Sequence, residues 1–102
     1  MKMYILIKDS IPFGFALVSA AHASLATYLK FKDSQEMADW LKFSFRKVVC
    51  QVTDEQFEKA KEYEDYVILT ESALSGQEVS IAFKPREDWP DFFKTLKLYM
   101  KK

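Results

Sequence analysis

Met3-Tyr4-Ile5-Leu6-Ile7, closed by Lys8-Asp9-Ser10, and the run from Phe15 to Lys30, free of glycine and proline, decide the fold. The five residues 3–7 are apolar without a break, as in a central strand covered on both faces, rather than alternating as in a half-exposed one. Pro12 and Gly14 punctuate a loop. The next sixteen residues place Leu17, Ala21, Leu25, Tyr28 and Leu29 on one helical stripe, which predicts a long helix with that stripe turned inward. A buried strand feeding a long helix is the opening of an α/β crossover.

The same pattern continues outward from this unit. Ser34 is a good helix N-cap, followed by Gln35, Glu36 and Asp39 in the positive first turns, with Met37, Trp40 and Leu41 at helical spacing, so a second helix should end near Ser44. Arg46 to Val52 reads as a strand burying Val48, Val49 and Cys50, and Thr53-Asp54-Glu55-Gln56 has the spacing of a capping box before a helix with Phe57 and Ala60 inside. Tyr66 to Thr70 is a third strand, and Glu71 to Gln77 is a polar loop. Val79, Ile81 and Phe83 alternate with Ser80 and Ala82 in a fourth, less completely buried strand. Pro90, just after Asp88, opens a last helix anchored by Phe92, Phe93, Leu96 and Tyr99.

The order is β-α-α-β-α-β-β-α, an α/β fold in which helices flank a four-stranded mixed sheet in three layers. Helical crossovers favour parallel neighbours, and the short third-to-fourth connection permits an antiparallel member. Ligands in such sheets gather beyond the carboxyl ends of strands, near helix N-termini, which directs attention to the loop from Asp9 to Gly14 and to Glu71.

Composition narrows the classes further. A chain of 102 residues supports one core, so residues 1–102 are expected to form a single domain. Fifteen basic and fifteen acidic side chains cancel, so any RNA contact must be local; Lys94, Lys97, Lys101 and Lys102 gather near the C-terminus as in a solvated tail. One cysteine, Cys50, excludes an intrachain disulfide and reads as a buried thiol. No apolar run reaches the roughly 18 to 20 residues that cross a bilayer, and no signal-peptide pattern opens the chain, so no membrane association and a cytoplasmic location are expected. With one histidine and one cysteine there is no zinc ligand set, and no GxxxxGK[ST], GxGxxG or GxSxG motif occurs, so neither metal nor cofactor is expected.

His22, the only histidine, shares a helical face with Phe15, Ser19 and Ala26. The stretch from Gly14 to Ser24, with Ala20, Ala21, His22, Ala23 and Ser24 at its end, resembles the first-helix signature of the archaeal and eukaryotic-type peptidyl-tRNA hydrolases. Arg46-Lys47-Val48-Val49 is similar to that family's second strand and Tyr66 to Glu71 to its third, which ends in an aspartate. Leu96-Lys97-Leu98-Tyr99 resembles its usual ending. The correspondence runs in order along nearly the whole chain.

The resemblance implies hydrolysis of the ester joining a peptide to the 3′ end of tRNA, with tRNA as partner, a possible homodimer, and a site histidine working beside a lysine, a glutamine and an acid. His22 falls on the histidine, whereas Phe15 stands at the lysine position, Ser19 at the glutamine and Glu71 at the aspartate; Ser75 is the candidate for a loop threonine. A histidine of reference pKa near 6.5 is largely neutral at pH 7, so His22 suits the base, with Glu71 to orient it. Phe15 supplies no positive charge, and Lys8 is the candidate substitute. The N-terminus of the first helix at Gly14 suits a phosphate, and Phe13 or Phe15 suits stacking on a terminal adenine. The rival reading, suggested by the missing lysine and neutral charge, is a non-catalytic binding or interaction module on the same scaffold.

Overall fold

Side-chain alternation along β1 (Lys2–Lys8) divides the interior in two. In the computed structural model, which describes residues 1–100, Met3, Ile5 and Ile7 enter one hydrophobic cluster and Tyr4 and Leu6 the other, and all five are buried. Lys101 and Lys102 of the C-terminal lysine group lie outside the described residues. β2 (Arg46–Val52), β3 (Tyr66–Glu71), β4 (Gln77–Phe83) and a short β5 (Lys97–Leu98) complete one mixed sheet in the order β3-β4-β1-β2-β5. β1 and β2 run parallel, Lys2 opposite Arg46 through Lys8 opposite Val52, while β1–β4, β3–β4 and β2–β5 are antiparallel. The carboxyl ends of β1, β2 and β3 therefore share one end of the sheet.

α1 (Phe13–Phe31) and α2 (Gln35–Asp39), which continues through a π-helical turn at Trp40–Ser44, cover the Met3, Ile5 and Ile7 face. α3 (Asp54–Ala60) and the one-turn α4 (Asp91–Lys94) cover the other. The capping signals operate as read: Ser34 Oγ accepts the Met37 N–H at 3.1 Å, and Thr53 and Gln56 cap each other reciprocally. Under α4, the Phe93 ring lies 4.8 Å from Trp89, 5.0 Å from Phe83 and 5.3 Å from Tyr4, tilted or edge-on contacts that each contribute about 0.5–1.5 kcal/mol beyond area burial.

Three expectations are corrected. The sheet has five strands, because the apolar residues after Phe93 belong to an extended segment: Leu96 packs into the α3–α4 cluster and Tyr99 against the α1–α2 cluster, faces that one helix could not serve together. Leu98 and Lys97 pair with Cys50 and Gln51, and the Tyr99 N–H reaches Val49 O at 2.9 Å, closing part of the β2 edge. Second, β4 is buried from Val79 to Phe83; it lies between β3 and β1 and is covered on both faces, whereas β3, at the edge, is only half-buried. Third, the inward face of α1 is Ala16, Ser19, Ala23 and Thr27, and Leu17, Leu25 and Leu29 remain 57%, 59% and 56% exposed. Small side chains let the helix lie close on the sheet. The helix is apolar nearly all round, so its leucine spacing does not mark the inside.

Candidate active site

α1 leaves the carboxyl end of β1 through a short loop tied by buried Ile11. Pro12 presets the entry, the Ala16 N–H donates to its carbonyl at 3.0 Å, and neither a side-chain cap nor an acidic residue occupies the first turn. The helix begins at Phe13, two residues before the expected start, because a proline just ahead of the first turn is compatible with helix entry. Gly14 is exposed, and a Cβ there would meet nothing within 4 Å, so the fold itself does not require glycine at this position.

Two contacts set the course of α1 across the sheet. Ser19 Oγ lies 2.6 Å from Ser80 Oγ on β4, opposite Leu69 of β3, and the Lys30 ammonium donates to Tyr66 O at 2.6 Å at the start of β3. α1 thus runs antiparallel to β3. His22, one turn and so about 4.5 Å beyond Ser19, falls at the level of Val67 and Ile68, roughly 11 Å along the strand from Glu71. The opposite flank of α1 (Phe13, Ala16, Leu17, Ala20) lines an apolar groove of about 350 Å³ with Ile7, Val49 and Tyr99 on the β2 side, which leaves the His22 flank on the β3 side. His22 is exposed, and among the described residues its imidazole makes no hydrogen bond or ion pair.

Glu71 ends β3. Its carboxylate accepts the Ala73 N–H at 3.2 Å and its carbonyl the Gly76 N–H at 3.0 Å, so it caps the 3-10 turn Ser72–Leu74 and makes no direct bond to His22. Ser75 is exposed in a left-handed conformation (φ 58°), its N–H donating to Ser72 O at 3.1 Å, and Gly76 follows at φ 73°. This turn stands at the carboxyl end of β3, the same end of the sheet from which α1 starts.

The remaining sequence-predicted residues are placed differently. Lys8 follows Tyr4 and Leu6 onto the α3 face, where its ammonium sits 4.7 Å over the Phe57 ring, so strand alternation puts it across the sheet from α1. Ser19 is buried and engaged with Ser80, which makes it a helix–sheet clamp rather than a free donor. Phe15 is half-buried against the α1–α2 core. Cys50 is 1% exposed and burial pushes its thiol up to about 11, which removes it as a nucleophile. No group of three metal-ligating side chains occurs among the described residues, and no helix among them is long and apolar enough to cross a membrane.

One feature at the carboxyl end of the parallel strands escaped the reading of the sequence. Asp9, Gln51, Thr53, Gln56 and Lys97 line a cleft of about 410 Å³, and the Gln51 side-chain oxygen is buried without a hydrogen-bond partner. These residues are far apart in sequence, and only the pairing of β1, β2 and β5 assembles them. The arrangement as a whole offers a solvent-accessible proton acceptor on α1, a carboxylate at a strand end some way from it, and uncapped helix amides. Among the described residues of α1, the one basic side chain besides His22 is Lys30, at the far end of the helix.

No curated protein matches this chain. The model describing the peptidyl-tRNA hydrolase PTH2 family matches residues 1–99, nearly the full length and all of the elements above. A match over residues 1–99 settles the family: the chain belongs to the peptidyl-tRNA hydrolase PTH2 family.

Proposed function

We propose that this chain, acting as one domain in the cytoplasm, hydrolyses the ester between a peptide or N-blocked amino acid and the 3′ end of tRNA. The observation that carries the reading is the exposure of the only histidine, His22, on the β3-side flank of α1. His22 takes a proton from water as it attacks the ester carbonyl and returns it to the 3′ oxygen of the tRNA as the ester C–O bond breaks, releasing the acid and free tRNA, and Glu71 acts on the imidazole through intervening water across the gap between them. Gly14 and the first-turn amides of α1 receive the terminal phosphate, Phe15 borders the bound end, and Ser75 presents its hydroxyl from the turn after Glu71. His22→Ala should abolish cleavage of an N-blocked aminoacyl-tRNA; equal rates in wild type and variant would remove the assignment.

Family membership also favours a homodimer, and the outer face of α1 suits one. Leu17, Ala21 and Leu25 are evenly spaced and exposed, so a two-fold axis at Ala21 would set Leu17 of one copy against Leu25 of the other. His22 lies about 100° around the helix from Ala21 and stays clear of that seam.

A second reading is favoured by a specific observation. With Phe15 at the lysine position, Lys8 on the far face and Ser19 bonded to Ser80, the site has neither the cation nor the amide donor that would stabilise an oxyanion. On that reading the chain retains tRNA without turning it over. Binding of a blocked aminoacyl-tRNA with no release of the acyl group, in wild type and His22→Ala alike, would decide for it.

A further inference from the structure

The end of the sheet opposite the Glu71 turn carries a basic and aromatic rim. From Trp40 to Lys47 the chain has no acidic residue, and it holds Lys42, Arg46 and Lys47 interleaved with Phe43 and Phe45. The parallel register sets Lys2 beside Arg46 on the neighbouring strand. None of these four cations has an ion-pair partner among the described residues, in contrast to Lys61, bridged to Glu58 and Glu78, and Lys84, bridged to Glu36 and Asp65. Asp39, close by in sequence, accepts from Gln35 at 2.9 Å, and Glu87 lies 3.6 Å from the Met1 amino group. In a chain of zero net charge the rim is a local excess of positive charge.

The two rings set it apart from simple protection of an open strand edge, for which charge alone suffices. Phe43 is 75% and Phe45 57% exposed. Phe45 is held in a left-handed conformation (φ 59°), rare for a bulky residue, by its N–H bond to Trp40 O at 2.6 Å and by ring contact with Trp40 at 5.1 Å. The π-helical turn that presents Phe43 is itself an uncommon geometry found often at functional sites. Lys42 sits 5.2 Å from the Phe43 ring centre and Lys47 3.3 Å from that of Phe45, so each ring is paired with a cation. Alternating stacking surface and positive charge is what an unpaired polynucleotide strand requires.

We propose that Lys2, Lys42, Arg46 and Lys47, with Phe43 and Phe45, bind an unpaired stretch of RNA, the cations holding phosphates and the rings stacking on bases. The choice of RNA over another polyanion rests on the tRNA reading above. The test is the affinity of the full chain for uncharged tRNA and for a single-stranded oligouridylate between 50 and 200 mM salt, with anionic phospholipid vesicles as a parallel arm. Lys42→Gln and Arg46→Gln should each lower the slope of log affinity against log salt by about 0.7–0.9, and Phe43→Ser should weaken oligouridylate binding by about 5- to 150-fold. All three side chains are exposed, and unchanged circular dichroism checks the fold. Slopes and affinities equal to wild type would overturn the proposal, as would variants that only self-associate more, which would mark the rim as edge protection, or binding of vesicles without RNA. Uncharged tRNA has no ester to cleave, so the outcomes separate: rim-dependent binding without hydrolysis sinks the hydrolase reading alone, and hydrolysis with rim variants that bind normally sinks the rim alone.

Discussion

The hydroxyls of Ser19 and Ser80 meet at 2.6 Å between α1 and β4, both buried, and this contact fixes the height at which His22 crosses the sheet. Either residue alone would be an unsatisfied buried hydroxyl; together they let the helix approach closely with no polar group stranded. Ser19→Ala or Ser80→Ala should therefore each destabilise by about 1–3 kcal/mol, and the double variant by less than the sum. Chemical denaturation of the three variants checks this, and strict additivity would mean the hydroxyls do not interact. Ser19→Gln, which restores the amide of the family pattern, should instead destabilise by about 1–3 kcal/mol through overpacking.

Glu71 caps a turn and places a charge at the carboxyl end of β3. Glu71→Gln keeps an acceptor for the Ala73 N–H and removes the charge. The expected outcome is an unchanged melting temperature with a 10- to 100-fold fall in kcat on blocked aminoacyl-tRNA. A variant as fast as wild type would strip Glu71 of its role.

The missing cation makes Phe15→Lys informative. Position 15 is half-buried, so a lysine can lay its stem along the core and carry its ammonium to solvent. Recovery of an oxyanion stabiliser is worth roughly 3–4 kcal/mol, so kcat should rise by about 100-fold or more. A slower enzyme of normal stability would mean that the site works without a cation at this place.

Leu25 is exposed by 59%, so Leu25→Glu should leave monomer stability within about 0.5 kcal/mol of wild type while separating the proposed dimer. Sedimentation velocity across a concentration series reads this directly. Equal association of both proteins would move the interface elsewhere or remove it.

Cys50 gives a pH signature. Burial pushes its thiol up to about 11 from an ordinary 9.0, so well below pH 9 folded and unfolded chains are both protonated and Cys50 leaves the stability independent of pH. Above pH 9 the unfolded chain ionises first, and stability should fall by on the order of 2–3 kcal/mol by pH 11. Cys50→Ala should flatten that loss in denaturation measured from pH 8 to 11. Native Cys50 should also resist thiol reagents until the chain unfolds.

The order of the elements from β1 to β4 was legible in the residues because each carries its own local signal, whereas β5 was not. The unbroken apolar run in β1, the Ser34 cap, the Thr53–Gln56 box and the burial of Cys50 all depend on neighbours close in sequence. The motif around His22 was equally readable, since a one-dimensional pattern identifies it. Tertiary structure alone decided which way side chains face. A helix apolar on nearly every side has no preferred inside until a sheet approaches it, and small Ala16, Ser19 and Ala23 then allow closer contact than Leu17 or Leu25. Strand alternation turned Lys8 to Phe57, and an open edge on β2 drew Lys97 and Leu98 out of the expected helix. The chain by itself thus determined the elements from β1 to β4 and the single histidine on α1. Packing determined which charges and donors stand near it, because facing is set by what lies across a contact and not by what lies along the chain.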